Sequence, residues 1–163
     1  MVSIVVLLML SLLSLFSVSL FRTGLNSQYI MRNEVAYIKS FNRAQEVVGQ
    51  MAEIVFNIDN SLLISAIAGS SNELLWLSTE KDIDFAQINF PLYWKQLNVY
   101  PFPPDAQAIV VFLDAKTIQT PSESMVMTHD KQIQSYRFSI IAKAKVSGGI
   151  AVVESGIIKR IIQ

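Results

Sequence analysis

His129 is the only histidine of the chain, and Ser122, Ser124 and Asp130 lie close to it in sequence. These are the residue types of a nucleophile, a base and an orienting acid. A triad needs the three groups to meet in space, however, and a stretch this rich in Ser, Thr and Asp is expected as a solvated turn. Asp59, Glu80, Asp82 and Asp84 offer the oxygen donors that a hard cation takes. Their spacing fits no EF-hand loop, so solvated surface is the expectation. The chain has no cysteine, which excludes disulfides and thiolate metal sites. Gly148 and Gly149 are adjacent, but a phosphate-cradling glycine loop opens a helix, and these two sit between strand patterns. We therefore expect no catalytic residues, no cofactor and no metal, and a chain that is not an enzyme.

The elements themselves are more informative. Thirteen basic and thirteen acidic residues give a formal net charge of zero. A general nucleic-acid binder needs a basic face to release counterions, so no nucleic-acid partner is expected. The 163 residues leave room for one domain beside any anchor. The high apolar fraction of 52% is concentrated at the N-terminus, where Met1 to Phe21 carry no charge. As a helix this run spans about 31 Å, enough to cross a hydrocarbon core of about 30 Å. Ser3, Ser11, Ser14, Ser17 and Ser19 interrupt it. A helical serine bonds back to the carbonyl one turn earlier, which makes it tolerable in lipid, and its small size allows close helix approach. No basic residue precedes the run, while Arg22 and Arg32 follow it. The positive-inside rule taken literally would place the C-terminal part in the cytoplasm. The other reading is a processed chain whose basic leader preceded Met1.

Beyond Phe21 the helical period continues. Ile38, Phe41, Ala44, Val48, Met51 and Val55 recur at steps of three or four, opposite a polar stripe of Arg32, Lys39, Arg43, Glu46, Gln50, Glu53 and Asn57. No proline occurs before Pro91, and Gly24 is a candidate kink just past the apolar run. A helix to about residue 56 would reach roughly 84 Å, so its first part must project from the domain.

Asn57 to Asn60 has the composition of a turn, Leu62 to Ala68 is a short apolar piece, and Asn72 to Ser78 suits a short helix or strand. Asp82 to Pro104 reads as an aromatic-rich loop broken by prolines, its aromatics packing rather than forming a ligand cage. Ala108 to Leu113 is a continuous apolar strand. From Tyr136 to Val146 the residues alternate, with Arg137, Ser139, Ile141, Lys143 and Lys145 on one face. Ser147 to Gly149 is the turn, Ile150 to Val153 the returning strand, and Ser155–Gly156 a bulge or bend before Ile157 to Ile162. Lys159 and Arg160 form a small basic patch. The layout is α+β: residues 1–21 an apolar membrane or core half of the helix, 22–56 its amphipathic half, and 57–163 a head with an antiparallel sheet. The loops 82–104 and 119–134 are the expected places for specific contacts.

A very apolar helix running unbroken into an amphipathic half, ahead of an antiparallel sheet, resembles a type IV pilin. Residues 32 to 53, with Phe41, Ala44 and the Gln45–Glu46 pair, resemble the corresponding stretch of PilX-type minor pilins. Ser40 replaces the usual alanine and the acid falls one place late. The tail from Tyr136 through Gly148–Gly149 is similar to that family's terminal hairpin. The resemblance implies a leader cleaved before Met1, methylation of Met1, and a head in the periplasm. It implies residence in the bacterial inner membrane, then in an extracellular pilus. It also implies packing of Val5, Phe41, Ala44, Val48 and Met51 in a helix core, with Arg32, Lys39, Arg43, Glu46 and Glu53 as a polar stripe.

Major pilins carry glutamate at the fifth position; here it is Val5. A subunit lacking that carboxylate is best placed at the filament tip, where no neighbour's amine needs it. The implied role is a minor pilin that initiates and caps a pilus. Its implied partners are other minor pilins, the major pilin and a large tip adhesin. A type II secretion minor pseudopilin shares the architecture. A secreted binding module cleaved near Ser17-Val18-Ser19 is the second class of reading, and an anchored periplasmic enzyme or sensor the third.

Overall fold

The computed structural model describes residues 2–70, 73–79, 83–88, 90, 92–118 and 133–162. Met1, Glu80, Asp82 and residues 119–132, with Ser122, Ser124, His129 and Asp130, lie outside them.

Helix α1 runs from Val2 to Asn57 without interruption, about 84 Å at the standard rise. Gly24 remains helical, with helix on both sides, and no melted turn follows it. Without proline, nothing removes a hydrogen bond from the ladder. Helix α2 (Asn60–Ile67) follows and buries Leu63. It ends on Gly69 at φ +72, where Ser70 N–H donates to the Ser65 carbonyl and Gly69 N–H to that of Ala66.

The sheet contains β1 (Leu77–Thr79), β2 (Tyr100–Phe102), β3 (Ala106–Ile118), β4 (Ile133–Val146) and β5 (Gly149–Ile162). Strands β3, β4 and β5 form an antiparallel core. The sheet is mixed rather than purely antiparallel, because β1 pairs parallel with β3. β2 pairs antiparallel with the same edge of β3, further along. The expected loop from 82 to 104 therefore contains a strand, together with short 3-10 turns at Phe85–Gln87 and Tyr93–Lys95. The bulge expected at Ser155–Gly156 is absent, since β4 and β5 stay in register throughout. Instead the register shifts between Phe112 and Asp114, so Leu113 is the extra residue.

Two cores lie on opposite faces of the sheet. On one face α1 and α2 bury Ala44, Val47, Met51, Val55 and Leu63 against Ala108, Val110, Phe138, Ile140 and Ala142. On the other, Ile83 and Trp94 cover Ile109, Val111 and Ile141. Trp94 is anchored by its indole N–H, which donates to the Ile88 carbonyl at 2.7 Å. This explains the continuous apolar run of β3, whose residues alternate between two dry faces. It also corrects the expectation of a charged face on β4: Ser139 and Ile141 are buried.

The β4–β5 turn fixes how closely α1 approaches. Ser147 (φ 52) and Gly148 (φ 88) form a two-residue turn with both φ angles positive. Gly149 begins β5 directly against the helix backbone. A Cβ there would stand 2.5 Å from the Ala36 carbonyl oxygen and 2.9 Å from the Tyr37 nitrogen. The buried Ser40 hydroxyl accepts from Val146 N–H at 3.0 Å. Its own proton faces the carbonyls of Gly149 at 2.9 Å and Ala36 at 3.0 Å. With one proton it serves one carbonyl at a time. Gly149→Ala must push backbone from backbone and is expected to cost about 1–3 kcal/mol. Ser40→Ala removes a buried hydrogen bond to the Val146 N–H at a cost of about 0.5–1.5 kcal/mol. Both should lower the melting temperature in micelles by several degrees; unchanged values would mean that the turn does not bear on the helix.

Candidate assembly interface

Residues 2–35 of α1, about 51 Å of helix, precede the first buried position, and Met31, Arg32 and Val35 border a hollow that Ser147 of the head also lines. The first buried residue along it is Ala36. The apolar part is long and hydrophobic enough to cross a membrane: its mean hydropathy is 2.7, and none of that window is buried. Ser11 Oγ donates to the Leu8 carbonyl at 2.8 Å, so this hydroxyl is satisfied within the helix. Thr23 and Ser27 do the same one turn back, each at 3.0 Å.

The exposed apolar surface does not end where a bilayer would. Fourteen residues, 22–35, separate the apolar run from the head, about 21 Å of helix. Tyr29, Ile30 and Met31 within it are each more than 60% exposed, and Val35, Tyr37 and Ile38 are about half exposed. Charged Arg22, Arg32 and Glu34 share this stretch and are exposed.

The residues expected to matter fall into distinct places. Val5 is 56% exposed in the projecting half. Ala44 and Met51 are fully buried under the head, and Val48 is half-buried against the same core. Phe41 is half-buried, its ring stacked on Tyr37 at 6.3 Å. Arg32, Lys39, Glu46 and Glu53 are exposed. Arg43 differs from the rest of the stripe because it turns to the head. Its Nε donates to Asp105 at 3.3 Å, Nη2 donates to the Pro103 carbonyl at 3.3 Å, and Nη1 pairs with Glu46 at 3.0 Å. Glu46, then Asp105, hold its pKa above the ordinary value. The buried face follows Ala36, Ser40, Ala44, Val47, Met51 and Val55, so Ser40 and Val47 belong to it and the half-exposed Ile38 does not.

The far end of the helix has its own fastening. Lys159, expected in a surface patch, is buried and donates to the carbonyls of Val55 at 3.0 Å and Ile58 at 2.8 Å. These acceptors lie at and just past the helix end, where carbonyls lack an intrahelical partner. The signal in the sequence was a lysine inside an apolar strand, Ile157-Ile158-Lys159-Arg160-Ile161. Among the described residues no group of three or more His, Asp or Glu is placed to hold a metal ion. Comparison with protein-family models, with curated proteins and with solved structures finds no match.

Burial holds the Lys159 pKa below its ordinary 10.5, with the Asp59 carboxylate acting the other way. The unfolded chain thus keeps the proton to higher pH than the folded one, and this contribution to stability grows as pH rises through the folded value toward 10.5. Lys159→Met should cost about 1–3 kcal/mol by stranding two carbonyls. The melting gap between the parent and this variant should widen as pH is raised above neutral; a gap that narrows would mean that the charged form is the stabilising one.

Proposed function

We propose that this chain is a non-enzymatic, membrane-anchored subunit of a helix-bundle filament, a minor pilin that helps initiate and cap a type IV pilus. The observation that carries the proposal is the length of uncovered apolar helix. A bilayer of about 30 Å accounts for residues 2–21. It leaves Tyr29, Ile30 and Met31 more than 60% exposed and Val35 about half exposed, on the stretch of helix between the apolar run and the first buried position. A simple anchor has no use for that surface. A bundle of like helices covers both halves, replacing lipid in one and water in the other. In the first half, packing of small and branched side chains drives association; in the second, apolar burial adds to it. The partners under this proposal are other minor pilins and the major pilin along the helix, with a large tip adhesin at the head. The head stands in the periplasm while the helix is stored in the inner membrane, and on the cell surface after assembly.

Val5 supports placement at the tip. A carboxylate in an apolar bundle is costly unless paired, and a subunit without one neither supplies nor needs the pairing. Two results test the proposal. The protein isolated from its native membrane is expected to begin at a methylated Met1; a start near Leu20 would mean signal-peptide cleavage and end the filament reading. Val5→Glu is expected to change pilus number or subunit order; no change in either removes the tip assignment.

A further inference from the structure

Three lysines gather on the sheet face turned away from α1, at the end of the head nearest the projecting helix. Lys143 and Lys145 alternate along β4 and share a face. Lys143 lies over the Trp94 ring, 5.3 Å from its centroid, and Lys95 follows Trp94 in the 3-10 turn. Gln107 stands directly opposite Lys143 on β3. Gln107, Lys143 and Lys145 border two adjoining hollows, one of about 460 Å³ against Pro101, Pro103 and Pro104, the other of about 270 Å³ against Lys95 and Ile150.

Among the described residues no carboxylate lies within ion-pair distance of any of the three lysines. Asp105 and Glu154 each have a hydrogen-bond partner other than these lysines. Asp105, on the rim, accepts from Arg43 at 3.3 Å. Glu154, on the same face, accepts from Ser139 at 2.6 Å. Burial, and then the neighbouring Lys145 charge, hold the Lys143 ammonium below its ordinary range. The contact with Trp94 gives Lys143 a packing role. It gives none to Lys145 or Lys95, which extend into solvent beside the hollows.

We propose that this cleft is a binding site for a phosphate-bearing anion, held by the ammonium groups of Lys95, Lys143 and Lys145 with the Gln107 amide. Three compact cations with rotatable donors suit a tetrahedral, doubly charged oxyanion, whereas a planar carboxylate favours the fork of an arginine. The nearby guanidinium of Arg43 is already committed to Asp105. The phosphate comes from one of two sources: a small soluble phosphate, or a lipid headgroup reached when α1 tilts and lowers this end of the head toward the bilayer. The site is independent of the filament reading, since it needs only the folded head.

The test is residue-resolved amine acylation, read by mass spectrometry, on the full chain in lipid nanodiscs. One arm uses zwitterionic lipid with added inorganic phosphate, matched in ionic strength with chloride. The other uses nanodiscs containing an anionic phospholipid. Occupancy should slow acylation of Lys143 and Lys145 by about tenfold at ten times the Kd, while the exposed Lys39 and Lys116 serve as internal controls. Protection in the first arm identifies a soluble phosphate, and protection only in the second identifies a headgroup. Lys145→Gln, a change at an exposed position, should weaken protection of Lys143 in whichever arm shows it. Equal labelling in phosphate and chloride, with no protection in anionic nanodiscs, would overturn the proposal. So would protection of Lys143 that Lys145→Gln leaves unchanged.

Discussion

The closest meeting of head and helix is a backbone contact between the Ser147–Gly149 hairpin and the Ala36–Ser40 turn of α1. A glycine is required there because the Ala36 carbonyl occupies the space of its Cβ. A serine is used because its hydroxyl can accept from the terminal N–H of β4 while facing the first carbonyl of β5. The surrounding residues follow from this approach. Ala106 pairs with Ala144, Ala108 with Ala142 and Ala144 with Ala151, so the sheet under this end of the helix is paved with methyl groups. Toward the other end the side chains grow, with Met51, Leu63 and Phe138 filling a wider gap. The helix is thus seated by a gradation of side-chain volume, and the lysine cap at Val55 and Ile58 closes the wide end.

The second core has a different function in the architecture. By covering Ile109, Val111 and Ile141, Trp94 and Ile83 turn a sheet with one wet face into one buried on both sides. That leaves the middle of β3 and β4 dry on both faces, with charged side chains at the margin. Lys143 and Lys145 sit at this margin, Lys143 against the Trp94 ring and Lys145 exposed beyond it.

Much of the architecture was legible from periodicity. The uncharged run, the 3.6-residue spacing after it and the alternation of β4 each reflect a repeating geometry that leaves a repeating pattern. What escaped depended on single contacts between distant parts of the chain. Ser40 looked like a departure from an alanine, because only the hairpin, more than a hundred residues later, gives its hydroxyl a purpose. Lys159 looked like surface, since nothing local indicates that helix carbonyls wait above it. The parallel β1 and the short β2 are three residues each, too short for a pattern to declare itself. The apolar first part of the exposed helix was the most legible feature, since uncharged length suffices to identify residues 1–21.

The unbroken α1 makes the head and the apolar N-terminal segment one lever. The fulcrum is the contact at Ala36, and the long arm is the projecting 51 Å or so of helix. With no proline in the arm to absorb a bend, rotation of the head by about 5° would swing the far tip by roughly 4 Å, close to the width of a side chain. Anything that grips the head therefore has mechanical purchase on the other end of the molecule. The methyl-paved seat at the fulcrum, where the backbones touch, sets how much play that linkage has.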